Sequence, residues 1–459
     1  MQIMKNCYLA IDIGASSGRH IVGYMDGGQL QIKEVYRFSN GAENRAGHLV
    51  WNAARLEREV VNGLKAAAEQ GYKPDFIGID TWAVDYALLG EGGRIIGDVF
   101  SYRDGRTHTA TGKVHAAVPF SKLYARTGIQ YQPFNTIYQL YADKMNGKLK
   151  KAADFLMLPD YLNYCLTGIK KQEYTNATST GMVNAVTHDW DWEIIDGLGY
   201  DRKLFHPLSQ PGTVVGSLKE EISKEIGYSA SVVLPATHDT ASAVLAAPVE
   251  FGQAYISSGT WSLLGVEQKI ARTDEASRLA NYSNEGSINH TFRYQKNIMG
   301  LWMLQSVRKE LGVTFPELMA LGRSKGKKYT VDVNDSRFLS PESMIREICA
   351  AVGSELGAAS VVRTIYDSLA LSYQKAIEEL EANTGATFGS IHIIGGGSRD
   401  ELLNRLTAEA TGKRIITGPV EATAIGNMIM QMVSTGEIKD VAAARDIIRS
   451  SFNIQEVQA

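Results

Sequence analysis

The sequence predicts an α/β fold in two domains of similar plan, and three observations carry that prediction. Its 459 residues are about three times the ~150-residue size expected of one domain. A strand, a run of small residues and a second strand open the chain, and the same device recurs at residues 252–264. The last quarter alternates helical and strand periodicities, the pattern of helices layered on a sheet.

Residues 7–13 are apolar and β-compatible, and Gly14, Ala15, Ser16, Ser17 and Gly18 then make a small-residue turn. Strands at 19–25 and 31–38 follow, separated by the turn Asp26-Gly27-Gly28. Residues 54–69 have the spacing of an amphipathic helix, and 75–80 read as a buried strand that ends in an acid, Asp80. Much further on, a strand at 231–236 runs into His238-Asp239-Thr240 and an Ala-rich helix over 240–247. With 11 prolines and no Ser/Gly-rich linker, composition marks no boundary. The motifs place one near Ala243, giving domains 1–243 and 244–459. The second domain opens with a strand at 254–256, the turn Ser257-Ser258-Gly259-Thr260 and a strand from Trp261. Val362, Ile365, Leu369, Tyr373, Ile377 and Leu380 then line one face of a long helix. A strand at 391–394, the turn Gly395-Gly396-Gly397-Ser398, a helix at 400–410, a strand at 414–417 and a helix from Ala422 complete the pattern.

Apolar residues at 44% and charged residues at 21% are ordinary globular usage. A net charge of −3 argues against a nucleic-acid surface built on a basic field. The three cysteines, Cys7, Cys165 and Cys349, form no Cys-x-x-Cys pair, which suits a reducing cytosol. The N-terminal residues lack the pattern of a signal peptide, and no apolar run reaches 18 residues. A soluble cytoplasmic protein without membrane partners is expected. The histidines show no His-x-x-x-His or His-Glu-x-x-His spacing, so a catalytic zinc site has no support.

The chemistry these residues suit is phosphoryl transfer, which needs backbone amides around phosphate, a divalent cation and a base for the attacking hydroxyl. The turn after Asp12 lets amides approach phosphate oxygens, and Asp12 at the strand end is placed to hold Mg²⁺ through its waters. Taken alone, the same turn is equally a tight hairpin. The Ser258-Gly259-Thr260 turn has the same two readings, and its recurrence favours two phosphate clamps. Gly395-Gly396-Gly397 has neither dinucleotide nor Walker A spacing, yet its place between strand and helix suits a nucleotide. Asp239 reads either as a helix cap or as a base that accepts the proton of a sugar hydroxyl. Residues 78–85 bring Asp80, Trp82 and Asp85 to a strand end, where carboxylates accept hydroxyls and an indole offers an apolar face. Tyr102-Arg103-Asp104-Gly105-Arg106 adds polar groups, or is a surface turn with an ion pair.

Five segments carry a resemblance: Asp12-Ile-Gly-Ala-Ser-Ser-Gly-Arg19, Gly78-Ile-Asp-Thr-Trp-Ala-Val-Asp85, Gln132-Pro-Phe-Asn-Thr-Ile-Tyr-Gln139, His238-Asp-Thr-Ala-Ser-Ala243 and Lys296-Asn-Ile-Met-Gly-Leu-Trp302. With Leu158-Pro-Asp-Tyr-Leu162 and Glu173-Tyr-Thr-Asn-Ala177, the chain resembles the FGGY carbohydrate kinases from Tyr8 to about Gln431. The resemblance implies two ribonuclease-H-like domains of the actin-like ATPase kind, with the active site in a cleft between them. It implies ATP and Mg²⁺, and L-rhamnulose phosphorylated at its C1 hydroxyl. L-fuculose and L-xylulose are the alternative ketoses, and a non-catalytic sugar or nucleotide sensor is the alternative class. By the same resemblance Asp239 is the proton acceptor, and Ala83, His238, Thr240 and Asn297 lie near the sugar. Ala15, Ser16, Ser17, Gly18, Arg19, Thr260, Gln305 and Gly397 contact ATP, and Asp12 is the Mg²⁺ partner. Ala83 departs from the glycine of the pattern, a methyl added beside the sugar.

Overall fold

The opening hairpin sets the architecture. In the computed structural model, which describes residues 6–323 and 328–457, β1 (Tyr8–Ile13) is buried along its whole length. It pairs antiparallel with β2 (Ser17–Asp26), which pairs antiparallel with β3 (Gln29–Ser39). The chain then crosses over through α1 (Ala53–Glu69), whose apolar stripe includes Leu56, Val60, Leu64 and Ala67, and returns as β4 (Phe76–Thr81), parallel to β1. Two later strands, β5 (Val214–Ser217) and β6 (Ser231–Val233), complete a sheet in the order β5-β6-β4-β1-β2-β3. Strand β6 ends earlier than the expected 236, because Pro235 has no amide to continue the ladder. The helix that follows is α2 (Asp239–Leu245).

The second sheet has the order β9-β10-β8-β7-β11-β12-β13. Its strands are β7 (Ala254–Ser258), β8 (Trp261–Gln268), β9 (Ser283–Gly286), β10 (Phe292–Met299), β11 (Ser390–Ile394), β12 (Arg414–Thr417) and β13 (Gln455–Val457). The recurrence expected from the small-residue turns is real at the level of pairing. In both sheets an antiparallel hairpin around the turn is followed by two parallel neighbours and then an antiparallel edge strand. Helices α3 (Trp302–Leu311), α4 (Ala358–Thr384) and α5 (Glu401–Thr411) lie among these strands in sequence, and α6 (Ala422–Ser434) follows β12. The face of α4 expected from periodicity is the buried one, with Val362, Ile365, Leu369, Tyr373, Ile377 and Leu380 inside.

The chain packs as two compact units. The first holds Met1–Pro248, Gln268–Tyr294 and Ala422–Ser451, and the second holds Val249–Glu267, Gln295–Glu421 and Phe452–Ala459. Helix α6 therefore belongs with the first sheet. Its Gly426 approaches α2 so closely that a β-carbon there would lie 1.8 Å from the Ser242 carbonyl oxygen. Among the described residues no helix is long and apolar enough to cross a membrane.

Candidate active site

Parallel pairing brings three carboxylates to one edge of the first sheet. Asp12 at the end of β1 is in register with Asp80 of β4. Thr81, the next residue, bridges to His238 and donates its amide to the Thr237 carbonyl at 2.9 Å. Asp239 follows at once as the first residue of α2. The carboxyl ends of parallel strands are where open α/β sheets bind ligands.

Each carboxylate has a different environment. Asp12 faces Arg19 across the hairpin, accepting from its Nε at 3.1 Å and its Nη2 at 2.9 Å. Asp80 is fully buried, and its Oδ2 accepts from Asn427 Nδ2 at 2.6 Å, while among the described residues nothing donates to its Oδ1. Burial, and then the charge of Asp12, push Asp80 well above the usual carboxylate range, with Asp239 adding to the rise and Asn427 opposing it. Asp239, whose side chain is 30% exposed, is raised as well, first by partial burial; His238 opposes the rise and Asp12 adds to it.

Asp239 does not cap α2. His238 occupies the cap position, without a side-chain cap bond. Asp239 Oδ1 instead accepts from its neighbour, Thr240, through the amide at 2.6 Å and the hydroxyl at 3.2 Å. The helix-cap reading is thereby corrected, and the Thr240 hydroxyl is already committed to Asp239. His238 places Nε2 3.4 Å from Asp239 Oδ1 and Nδ1 3.1 Å from Glu285 Oε2. Behind this segment, Glu173 clamps Thr237: its Oε2 accepts from the Thr237 amide at 3.1 Å and hydroxyl at 2.7 Å, and its carboxylate also takes both donors of Thr175.

Asp85 is corrected from a sugar ligand to a scaffold. Its Oδ2 accepts from Trp51 Nε1 at 2.6 Å, Trp82 Nε1 at 2.9 Å and the Tyr102 amide at 3.1 Å, and its Oδ1 accepts from Gln139 Nε2 at 3.0 Å. Asp85 is fully buried, and all four of these donors are protein groups. They hold a loop in which Val84 adopts φ +67°, a left-handed conformation that a β-branched residue takes only under constraint. Ala83, half-buried, sits inside that loop. Asp104 is likewise no surface ion pair with Arg103: it is buried and accepts from the Leu49 amide, the Arg106 amide and His48 Nδ1.

The first small-residue turn is a tight hairpin, with the Gly14 amide donating to Ser17 O at 2.9 Å and Asn40 Nδ2 donating to Gly14 O at 2.8 Å. Among the described residues no backbone carbonyl takes the Ala15 or Ser16 amide. Gly18 is required by packing, since a β-carbon there would lie 2.2 Å from the Phe38 ring. Arg19 points at Asp12, as above.

Asn297, Thr260, Gln305 and Gly397 belong to the second unit. There the second turn and the Gly-rich turn meet: a β-carbon on Gly397 would lie 1.9 Å from Ser258 Oγ, so the approach to the end of β7 demands glycine. The Thr260 carbonyl accepts the amides of Gly300 at 3.2 Å and Trp302 at 3.3 Å, which fixes the start of α3, the helix that carries Gln305.

Sequence reasoning missed Asn427 and Gln431 on α6. Asn427 Nδ2 also donates to Gly78 O at 3.1 Å, and Gln431 Nε2 donates to Asn427 Oδ1 at 2.7 Å and Leu9 O at 3.0 Å. Two amides four residues apart on an otherwise apolar helix were the available signal. It missed Glu285 and Arg293 too, which look like ordinary strand charges.

Two family models match, the N-terminal domain of the FGGY family of carbohydrate kinases over residues 7–246 and its C-terminal domain over 254–435. Curated relatives include a rhamnulokinase of Oceanobacillus iheyensis, 45% identical with 98% of each chain covered. A rhamnulokinase of Bacillus subtilis is 43% identical over 98% of this chain and 94% of its own. Among solved structures, a ligand-bound xylulose kinase from Lactobacillus acidophilus matches with a TM-score of 0.79 at 16% identity, covering 99% of this chain and 93% of its own. A glycerol kinase from Plasmodium falciparum with ADP matches with a TM-score of 0.75 at 13% identity, covering 98% and 94%. At such identities the structures speak for the fold, which is the two-domain α/β one expected.

Proposed function

Because the chain belongs to the FGGY family of carbohydrate kinases, we propose that it transfers the γ-phosphoryl group of MgATP to the C1 hydroxyl of L-rhamnulose, giving L-rhamnulose 1-phosphate and ADP. The observation that carries this reading is 45% identity to a rhamnulokinase along 98% of both chains. Residues 1–243 carry the sugar contacts, the first phosphate turn and the base in this reading, and 244–459 the nucleotide contacts. The reaction is placed in the cytoplasm.

Asp239 takes the proton of the C1 hydroxyl as that oxygen attacks the γ-phosphorus and the bond to the bridging oxygen of ADP breaks. Its Oδ1 is held by Thr240, which leaves Oδ2 to receive the proton. Partial burial and the charge of Asp12 raise its basicity, which suits a general base. Ala83, His238, Thr240 and Asn297 surround the ketose. The amides and side chains of Ala15, Ser16, Ser17, Gly18 and Arg19, with Thr260, Gln305 and Gly397, hold ATP.

The acidic edge fits a hydrated Mg²⁺. Among the described residues Asp80 keeps one buried oxygen without a partner beside Asp12, and no three acids, histidines or cysteines close into a metal cage. That is the donor set of an ion that keeps its waters and is shared with phosphate, with Asp12 as its protein partner. When bound, Mg²⁺ offsets charge on the β- and γ-phosphate oxygens.

ADP release measured with L-rhamnulose, L-fuculose and L-xylulose tests the reading. The highest kcat/KM is expected with L-rhamnulose. A higher value with another ketose reassigns the sugar, and no turnover across a broad ketose panel removes the kinase assignment.

A further inference from the structure

The loop that carries Ala83 is held in a conformation its own sequence disfavours. The Asp85 amide donates to the Ala83 carbonyl at 2.9 Å, which closes a three-residue turn around Val84 at φ +67°. A bond from residue i+2 to residue i with positive φ between them is the rare, strained form of the γ-turn. Of the described non-glycine residues with positive φ, Val84 is the one that is β-branched and the one that is buried.

The peptide unit between Val84 and Asp85 is fastened at both ends. Its N–H makes the turn bond, and its carbonyl accepts from Thr136 Oγ1 at 2.7 Å and from Gln139 Nε2 at 3.3 Å. Thr136 and Gln139 are buried residues at the start of the helix Thr136–Met145. Gln139 is oriented in its turn by Arg106, whose Nη2 donates to its Oε1 at 3.0 Å. Arginine only donates, so the amide turns its Nε2 the other way. There it meets the Phe134 carbonyl at 2.9 Å and Asp85 Oδ1 at 3.0 Å, with the longer Val84 contact shared between them. Asp143 Oδ1, 3.0 Å from Arg106 Nη1, fixes the guanidinium. All of these residues belong to the first unit.

We propose that Thr136 and Gln139 are positioning residues for the ketose, holding the strained turn that presents Ala83 to it. This rests on the reading of Ala83 as a sugar contact. Strained backbone persists only where its surroundings over-determine it, and such strain gathers at ligand sites. With a branched side chain at its centre, the turn relaxes toward negative φ once its carbonyl is released, and Ala83 moves with it. Glycine populates positive φ about as readily as negative, so a turn centred on glycine depends less on the anchor.

The test uses full-length protein and compares Thr136→Val, which keeps the shape and loses the hydroxyl, with Thr136→Ser, which keeps the hydroxyl. Each is made in the wild-type and in a Val84→Gly background. In Thr136→Val, KM for the ketose should rise about three- to tenfold, the range one lost hydrogen bond allows, while KM for MgATP stays as in wild type. Thr136→Ser should restore most of the loss. In the Val84→Gly background Thr136→Val should add less than about a twofold rise. Gln139→Met should act as Thr136→Val does; because it also strips Arg106 of an acceptor and endangers the fold, Thr136→Val decides where the two differ. Hydrogen exchange in the ligand-free protein reads the turn itself, and residues 83–85 should exchange faster in Thr136→Val than in wild type or Thr136→Ser. An unchanged ketose KM in Thr136→Val overturns the proposal. So does an equal rise in both backgrounds, or an equal rise for ketose and MgATP, which marks a loosened fold. If the wild-type enzyme turns over no ketose, the assigned reaction fails, and exchange alone decides whether Thr136 holds the turn: an unchanged rate at 83–85 in Thr136→Val refutes it.

Discussion

At the scale of the residue, the reading turns on Asp239, and the environment that makes it a base also predicts how it titrates. Replacing Asp239 by Asn keeps the acceptor that meets Thr240 but removes the proton acceptor. The variant should bind MgATP as wild type does in calorimetry, while ADP release on the ketose falls by about 10²–10⁴. Unchanged turnover would take Asp239 out of the mechanism. The base works in its unprotonated form, and its folded pKa lies above the ordinary 3.8. Activity in wild type should therefore rise with pH through a limb that lies above that value, and the limb should vanish from the residual activity of Asp239→Asn. Asp239, His238 and Asp12 were legible in the sequence because each stands where a strand meets a small-residue turn or a helix start. Asp85 was legible as an acid but misread as a ligand, since three of its four donors come from separate segments that only the fold assembles. Glu285 and Arg293 were not legible at all: Arg293 lies 55 residues from the histidine it flanks.

Elements matter through their closest approaches, and glycines report where those are. Gly426 of α6 faces the Ser242 carbonyl of α2, and a β-carbon there would sit at 1.8 Å from backbone. Gly426→Ala must push apart the helix that begins at Asp239 and the helix whose Asn427 holds Asp80. It should lower stability by about 1–3 kcal/mol, the usual cost of overpacking, read as a lower urea midpoint. Gly112 lies within the helix His108–Ala117 with nothing within 4 Å of its would-be β-carbon. The same change there should raise the midpoint, since alanine is favoured over glycine in a helix by about 1 kcal/mol. Equal effects at the two sites would refute the packing argument. The strands and the face of α4 were legible from periodicity because each buries a simple apolar stripe. The placement of α6 was not. Its sequence says only that it is apolar on most sides, and its partners, β1 and β4, lie more than 340 residues away.

For the molecule as a whole, the carboxylate edge sets function against stability. Three acids converge at the ends of neighbouring strands, and one arginine, Arg19, is bonded among them. Asp80 contributes most clearly, being fully buried and raised well above 3.8 by burial and by the charge of Asp12. A group whose folded pKa exceeds its unfolded one stabilises the fold fully below the unfolded value. It loses that contribution as pH climbs through the folded value. Wild type should thus lose stability from this residue as pH rises from about 4. Asp80→Asn carries no charge at any pH and keeps an oxygen for Asn427. Its urea midpoint should match wild type near pH 4 and exceed it progressively at higher pH, while turnover falls because the Mg²⁺ edge has lost an acid. Magnesium should narrow the gap at high pH by stabilising the wild-type protein more than the variant, since a ligand stabilises the state that binds it. A constant gap across pH, or a variant less stable than wild type at pH 8, would show that Asp80 is an ordinary buried hydrogen-bond acceptor. The carboxylates would then not be held together for the sake of the ion.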